Sequence, residues 1–160
     1  MRVEIKNIED ILNLAITQEV KAGAFYTQVG EIAEDPKVKH FFKSLAEEEV
    51  IHEQILTSIK EQKLFDNSLS IESFSELKKI CESHDLESFE YKSDMTIAMA
   101  LEVALTREYK AFQLFNQLAN LPLPEEAKTL FSKLAQEEKN HHATVEEQCK
   151  LISGTMGQEG

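Results

Sequence analysis

Two short stretches place a histidine three residues after a glutamate: Glu49 and His52 in EEEVIH (47–52), and Glu138 and His141 in QEEKNHH (136–142). On a helix, a step of three leaves two side chains only about 60° apart, so both can reach one bound ion. Carboxylate oxygens with a single imidazole suit iron or manganese better than structural zinc, which takes thiolates or several imidazoles. One Glu-x-x-His would be a weak signal. Here two are accompanied by Glu19, set between Ala15 and Ala22, and Glu108, set between Ala104 and Ala111. The alanines leave room beside each acid.

The elements that carry these residues are long helices. Apolar residues recur at alternating steps of four and three: Ile8, Leu12, Ala15, Ala22, Tyr26, Val29 and Ala33; then Phe42, Leu45, Leu56 and Ile59; then Ile97, Leu101, Ala104, Ala111, Phe115 and Leu118; then Phe131, Leu134 and Val145. That spacing is the buried stripe of an amphipathic helix, close to a heptad seam. Asn7 with Asp10 reads as a capping box, Asp35-Pro36 as a cap followed by a first-turn proline, and Pro124 precedes two glutamates. The pattern predicts helices at about 7–33, 36–63, 94–120 and 124–152 within one domain spanning 1–160. Short joints make each consecutive pair an antiparallel hairpin. The crossover between them, about 64–93, is too long for a bare loop, and SIESFSELKKIC (70–81) predicts a short helix inside it.

The hairpins read as copies. A shift of 89 positions, the separation of Glu108 from Glu19, lays Leu101 on Leu12, Ala104 on Ala15 and Ala111 on Ala22. With no gap it continues through Phe131 on Phe42, Leu134 on Leu45, Glu138 on Glu49 and His141 on His52. This is the signature of a duplicated helical hairpin.

The seam also separates neighbours in the glutamate run. Glu49 and His52 continue the stripe of Phe42, Leu45 and Leu56, whereas Glu47 and Glu48 lie roughly 200° and 100° around the helix from Glu49. Glu137 and His142 likewise fall beside the stripe that holds Glu138 and His141. His40 and His84 read as surface residues. Four carboxylates and two imidazoles therefore converge at one level of the bundle, and no lysine or arginine occupies the four seams. Such acids cost several kcal/mol or hold protons unless a cation accompanies them. Without metal the fold is then expected to weaken as pH rises, and two divalent ions would reverse this. The bland alternative is a metal-free bundle whose polar seam residues fix helix register.

Composition narrows the class. Charged residues at 29% and hydrophobic ones at 42% suit a soluble domain, and the formal charge of −12 argues against nucleic acid or an anionic membrane as partner. The start, MRVEIKNIED, does not read as a signal peptide, and no apolar run is long enough to span a membrane. Cys81 and Cys149 form no C-x-x-C pair, which fits a reduced, cytoplasmic protein.

QEVKAGAFY (18–26), EEEVIH (47–52), REYKAF (107–112) and QEEKNHH (136–142) resemble the rubrerythrin branch of the ferritin-like superfamily. One Glu from each of two helices plus Glu-x-x-His from each of the other two is the known ligand layout of ferritin-like di-iron and di-manganese proteins. The resemblance implies an all-α ferritin-like four-helix bundle, two antiparallel hairpins joined by the long crossover. It implies two irons, with manganese as the alternative metal. Glu19 and Glu108 would be terminal or bridging ligands, Glu49 and Glu138 would bridge, and His52 and His141 would each complete one metal. Tyr26 resembles a family tyrosine that hydrogen-bonds a ligand carboxylate. The implied activity is reduction of peroxide or dioxygen, with a ferroxidase or iron-handling role and a metal-stabilised binding bundle without turnover as alternatives. Two departures stand out. An extra carboxylate of the family's third helix is here Ala111, and the two C-x-x-C pairs of a rubredoxin-like domain are missing. Electrons would then come from a separate donor such as a rubredoxin. The resemblance also allows a homodimer.

Overall fold

A computed structural model describes residues 5–64, 71–82 and 91–158; the side chains of 71, 73 and 153–158 are outside the description. Five helices occur in the order α1 (Ile8–Ile32), α2 (Pro36–Glu61), α3 (Ile71–Glu82), α4 (Ile97–Ala119) and α5 (Glu125–Gln158). There is no strand among the described residues. The chain is all-α.

Local chemistry sets the helix ends. The Asn7 side chain accepts the Asp10 amide at 2.9 Å, as a cap should. The reciprocal bond lands one residue early, from the Lys6 amide to the Asp10 carboxylate at 2.8 Å. Asp35 accepts the Lys37 amide at 2.9 Å, with Pro36 as the first helical residue. α4 begins at Ile97 rather than 94, because the Thr96 hydroxyl caps the Met99 amide at 3.1 Å. α2 stops at Glu61, two residues short of the expected 63. Lys63 adopts φ 53°, and the Leu64 amide reaches back to the Ile59 carbonyl at 3.0 Å while that of Lys63 reaches Lys60 at 3.1 Å. This is a Schellman closure with lysine in the left-handed position that glycine usually fills. α5 runs six residues past the expected end, to Gln158.

α1 packs along α2 and α4 along α5, while α3 lies against α4 and α1. The crossover helix expected at 70–81 is α3, which buries Leu77 and Cys81 against the bundle. Burial pushes the Cys81 thiol up to about 12, so it stays protonated; both cysteines are free.

Two apolar clusters fill the bundle. One gathers Ile8, Leu12 and Ala15 with Leu56 and Ile59, Phe115 and Leu118, and Phe131 and Leu134. The other gathers Ala22, Tyr26 and Val29 with Phe42 and Leu45, Leu101 and Ala104, and Val145. On each of the four long helices the glutamate of the stripe falls between a residue of one cluster and a residue of the other. The polar layer is thus sealed above and below by close-packed side chains, where a cavity costs about 2–5 kcal/mol per large-to-alanine change. None of the described helices is long and apolar enough to cross a membrane.

Candidate metal centre

Of the three consecutive glutamates, Glu47 is exposed, Glu48 half-buried and Glu49 fully buried. Glu19, Glu108, Glu138 and His52 are buried as well, and His141 is 14% exposed. Ligand atoms of Glu19, Glu49, His52 and Glu138 all lie within 4.8 Å of one another, and so do those of Glu49, Glu108, Glu138 and His141. The two groups share Glu49 and Glu138. The rings of His52 and His141, one from each group, stack with centroids 5.6 Å apart.

Several atoms at this centre make no hydrogen bond: Glu19 Oε2, both oxygens of Glu49, His52 Nδ1, Glu138 Oε1 and His141 Nδ1. His52 Nδ1 is 2.7 Å from Glu138 Oε1, close but not aligned as a hydrogen bond. Buried polar atoms are almost always hydrogen-bonded. A group of them converging without such bonds fits divalent ions between them, and the hard-oxygen-plus-imidazole set fits iron or manganese. His142 lies outside this set, half-buried beside Tyr109 with ring centroids 6.0 Å apart. His40 is exposed, and His84 falls outside the described residues.

Tyr26 is buried under the cluster and donates its hydroxyl to Glu108 Oε1 at 2.7 Å. Burial, then the Glu108 charge, raises the phenol well above its usual range and keeps it a donor. On the outer side of His52, Nε2 lies 2.8 Å from Glu137 Oε2. The stripe excluded Glu137 from the site, yet its side chain reaches across from the other hairpin and holds the ring. A carboxylate on the outer nitrogen of an imidazole fixes which nitrogen faces inward. Burial alone would lower the His52 imidazole, but contact with the carboxylates of Glu138 and Glu19 pushes it up to about 11. A metal ion binding there would displace that proton.

The expectation that no cation neutralises the acids is corrected by Arg107. Its side chain is 2% exposed and stands at the middle of the cluster. One terminal nitrogen lies 2.7 Å from Glu19 Oε1 and 3.0 Å from Glu49 Oε2. The other lies 2.7 Å from Glu138 Oε2 and 3.4 Å from Glu108 Oε2. Burial opposes its charge, but Glu138, Glu19 and Glu108 outweigh that and hold it firmly protonated. Burial would raise Glu108, but the adjoining Glu138 carboxyl and the Arg107 charge outweigh it and drive Glu108 well below the carboxylate range. Glu138 is raised, first by burial and then by the Glu108 charge. Removing one partner from such a buried network costs roughly 3–5 kcal/mol, because the remaining charge is stranded.

The seam picture missed Arg107 because it allowed only about one inward residue per turn. On α4 the buried face is wider, taking in Ala100, Leu101, Ala104, Arg107, Glu108, Ala111 and Leu114. Position 107 stands three residues after Ala104 and four before Ala111. An arginine flanked by alanines at those steps was the available signal.

The rubrerythrin family model matches residues 10–148. The chain belongs to the rubrerythrin family. A comparison with curated proteins found no match. Among solved structures, this rubrerythrin-family chain is similar to a Thermotoga maritima protein described as ferritin-like and diiron-carboxylate. The TM-score is 0.68 at 20% identity, over 93% of this chain and 98% of that one. The likeness shows that this rubrerythrin-family chain has the ferritin-like fold.

Proposed function

We propose that this chain is a di-iron oxidoreductase of rubrerythrin type, which reduces peroxide or dioxygen with electrons from a separate donor such as a rubredoxin. The observation that carries the reading is the pair of overlapping ligand groups that share Glu49 and Glu138. Glu19 and His52 would complete one ion, Glu108 and His141 the other, with manganese as the alternative metal. Two bridged irons would supply a pair of electrons at one site. The protein's own part is to hold that pair in a largely buried layer between two apolar clusters. Tyr26 fixes one oxygen of Glu108, leaving the other to face inward. Glu137 fixes the outer nitrogen of His52 and so aims Nδ1 at the centre. The two free cysteines support a reduced, cytoplasmic setting for this single domain.

One observation favours a second reading. Arg107 already neutralises part of the acid cluster, as it would in a bundle that works as a structural or binding element without metal turnover. Oxygen-free reconstitution with Fe(II), followed by rapid mixing with peroxide or dioxygen, separates the readings. Two irons per chain with fast two-electron oxidation and re-reduction supports the first. Accumulation of ferric mineral would instead mark a ferroxidase, and failure to bind iron would leave the metal-free bundle.

A further inference from the structure

The guanidinium of Arg107 spans the two ligand groups. Its one end sits between Glu19 and Glu49, its other end between Glu138 and Glu108. Those are carboxylates of the first group at one end and of the second at the other, with the shared pair divided between them. The contacts at 2.7 Å occupy lone pairs that a metal ion at either place would need. Charge leads to the same point. Four carboxylates are balanced by two divalent ions, and a guanidinium left among them would be an uncompensated buried cation pressed against two others.

The position of Arg107 also offers a way out. Thr106 beside it is exposed, and Val103 and Lys110, one turn away on either side, are only half-buried. The residue stands at the edge of the buried face of α4. A long side chain anchored at such an edge can carry its head to water while its methylenes stay on apolar surface.

We propose that Arg107 is a displaceable internal cation: it occupies the place of the ion pair in the metal-free protein and must swing out for divalent ions to bind. This rests on the di-metal reading above and adds to it a residue that sets metal affinity. The metal-free bundle keeps its order because the guanidinium holds the carboxylates together. Metal uptake then proceeds as an exchange of one cation for two, and the affinity is lowered by the strength of the contacts broken.

The test compares wild type with Arg107→Gln by anaerobic titration with Co(II), whose visible absorption reports coordination, and by thermal melts. Arg107→Gln should bind Co(II) at least tenfold more tightly, and its metal-free form should melt below that of wild type. Saturating Co(II) should raise the variant's melting temperature more than the wild type's. Unchanged or weaker Co(II) binding by a folded Arg107→Gln protein, with wild type binding two ions, would overturn the exchange and leave the di-metal reading standing. If neither protein binds Co(II), both fall together. Should the variant fail to fold, wild type still decides the matter. Proton exchange at the Arg107 Nε, followed by NMR, should be slow without metal and fast with Zn(II). Slow exchange with two Zn(II) bound would overturn the proposal.

Discussion

The two hairpins carry the same Glu and Glu-x-x-His pattern at the same spacing, yet they do not surround it with the same residues. Under the 89-position shift, Glu19, Glu49 and His52 correspond to Glu108, Glu138 and His141. The matching places around them differ. Arg107 corresponds to Gln18, Tyr26 to Phe115, and Glu53 to His142. One half therefore supplies the cation and the other supplies the phenol, and both act on the second half's Glu108. The histidines diverge too. His52 is fully buried with Glu137 on its outer nitrogen, while His141 keeps 14% exposure and lies 3.6 Å from Glu108. The repeat places the glutamates and histidines of the proposed site twice; the residues that contact and neutralise them appear once each. A site drawn from two like sequence repeats is thus asymmetric in electrostatics and in exposure.

The sharpest break of the symmetry comes from the shared acids. Glu49→Ala or Glu138→Ala removes a ligand from both groups and should lose both ions, whereas Glu19→Ala should retain about one of the pair. Glu47→Ala should retain both. Metal analysis after oxygen-free reconstitution checks this, and two ions retained by Glu138→Ala would show that the groups do not share it.

Glu137 and its counterpart Glu48 offer the next contrast. Glu137→Ala frees the outer nitrogen of His52 and should weaken metal binding about tenfold, the low end of the usual range because Glu137 is 29% exposed. Glu48→Ala should change it by no more than about threefold. Titrations of the two variants side by side decide, and equal losses would mean that Glu137 is no special support.

Tyr26→Phe makes the two halves alike at that place. It leaves Glu108 Oε1 without its donor and should cost ~1–2 kcal/mol in denaturant melts, since Arg107 still faces the same carboxylate. A variant as stable as wild type would indicate that the hydroxyl bond has no energetic role.

The most gradual effect is on pH. The His52 imidazole is raised from 6.5 to about 11 in the folded protein, so its contribution is fully present below about 6.5 and is lost as pH rises towards 11. Glu138, also raised, acts in the same sense above its ordinary value. The metal-free protein should therefore melt progressively lower from pH 6.5 to pH 9, with a shallower slope in His52→Asn. A melting temperature that holds level over that range would mean that His52 is not held as a cation.

Periodicity and repetition reached the bundle and its buried polar layer for a simple reason. A helix converts spacing into direction, so the register of Phe42, Leu45 and Leu56 sets Glu49 inward and Glu47 outward without reference to any other element. The same rule locates Glu19, Glu108 and Glu138 in the buried layer. It does not by itself choose between two neighbours such as Arg107 and Glu108, which both fit the spacing between Ala104 and Ala111, nor say where the head of a long side chain will lie. Arg107 leaves α4 about 100° around from Glu108 and still reaches all four acids. Glu137 meets His52 from 85 residues away, across the gap between hairpins. Helix ends show the same division on a smaller scale. Asn7 and Asp35 cap as their types suggest, but the stop at Glu61 depends on Lys63 taking a backbone conformation that its type disfavours. Which atoms can face one another is thus set by local register. Which flexible side chain fills the space between them is decided by the distances between packed helices, because burial forces every charge in that space to find a partner.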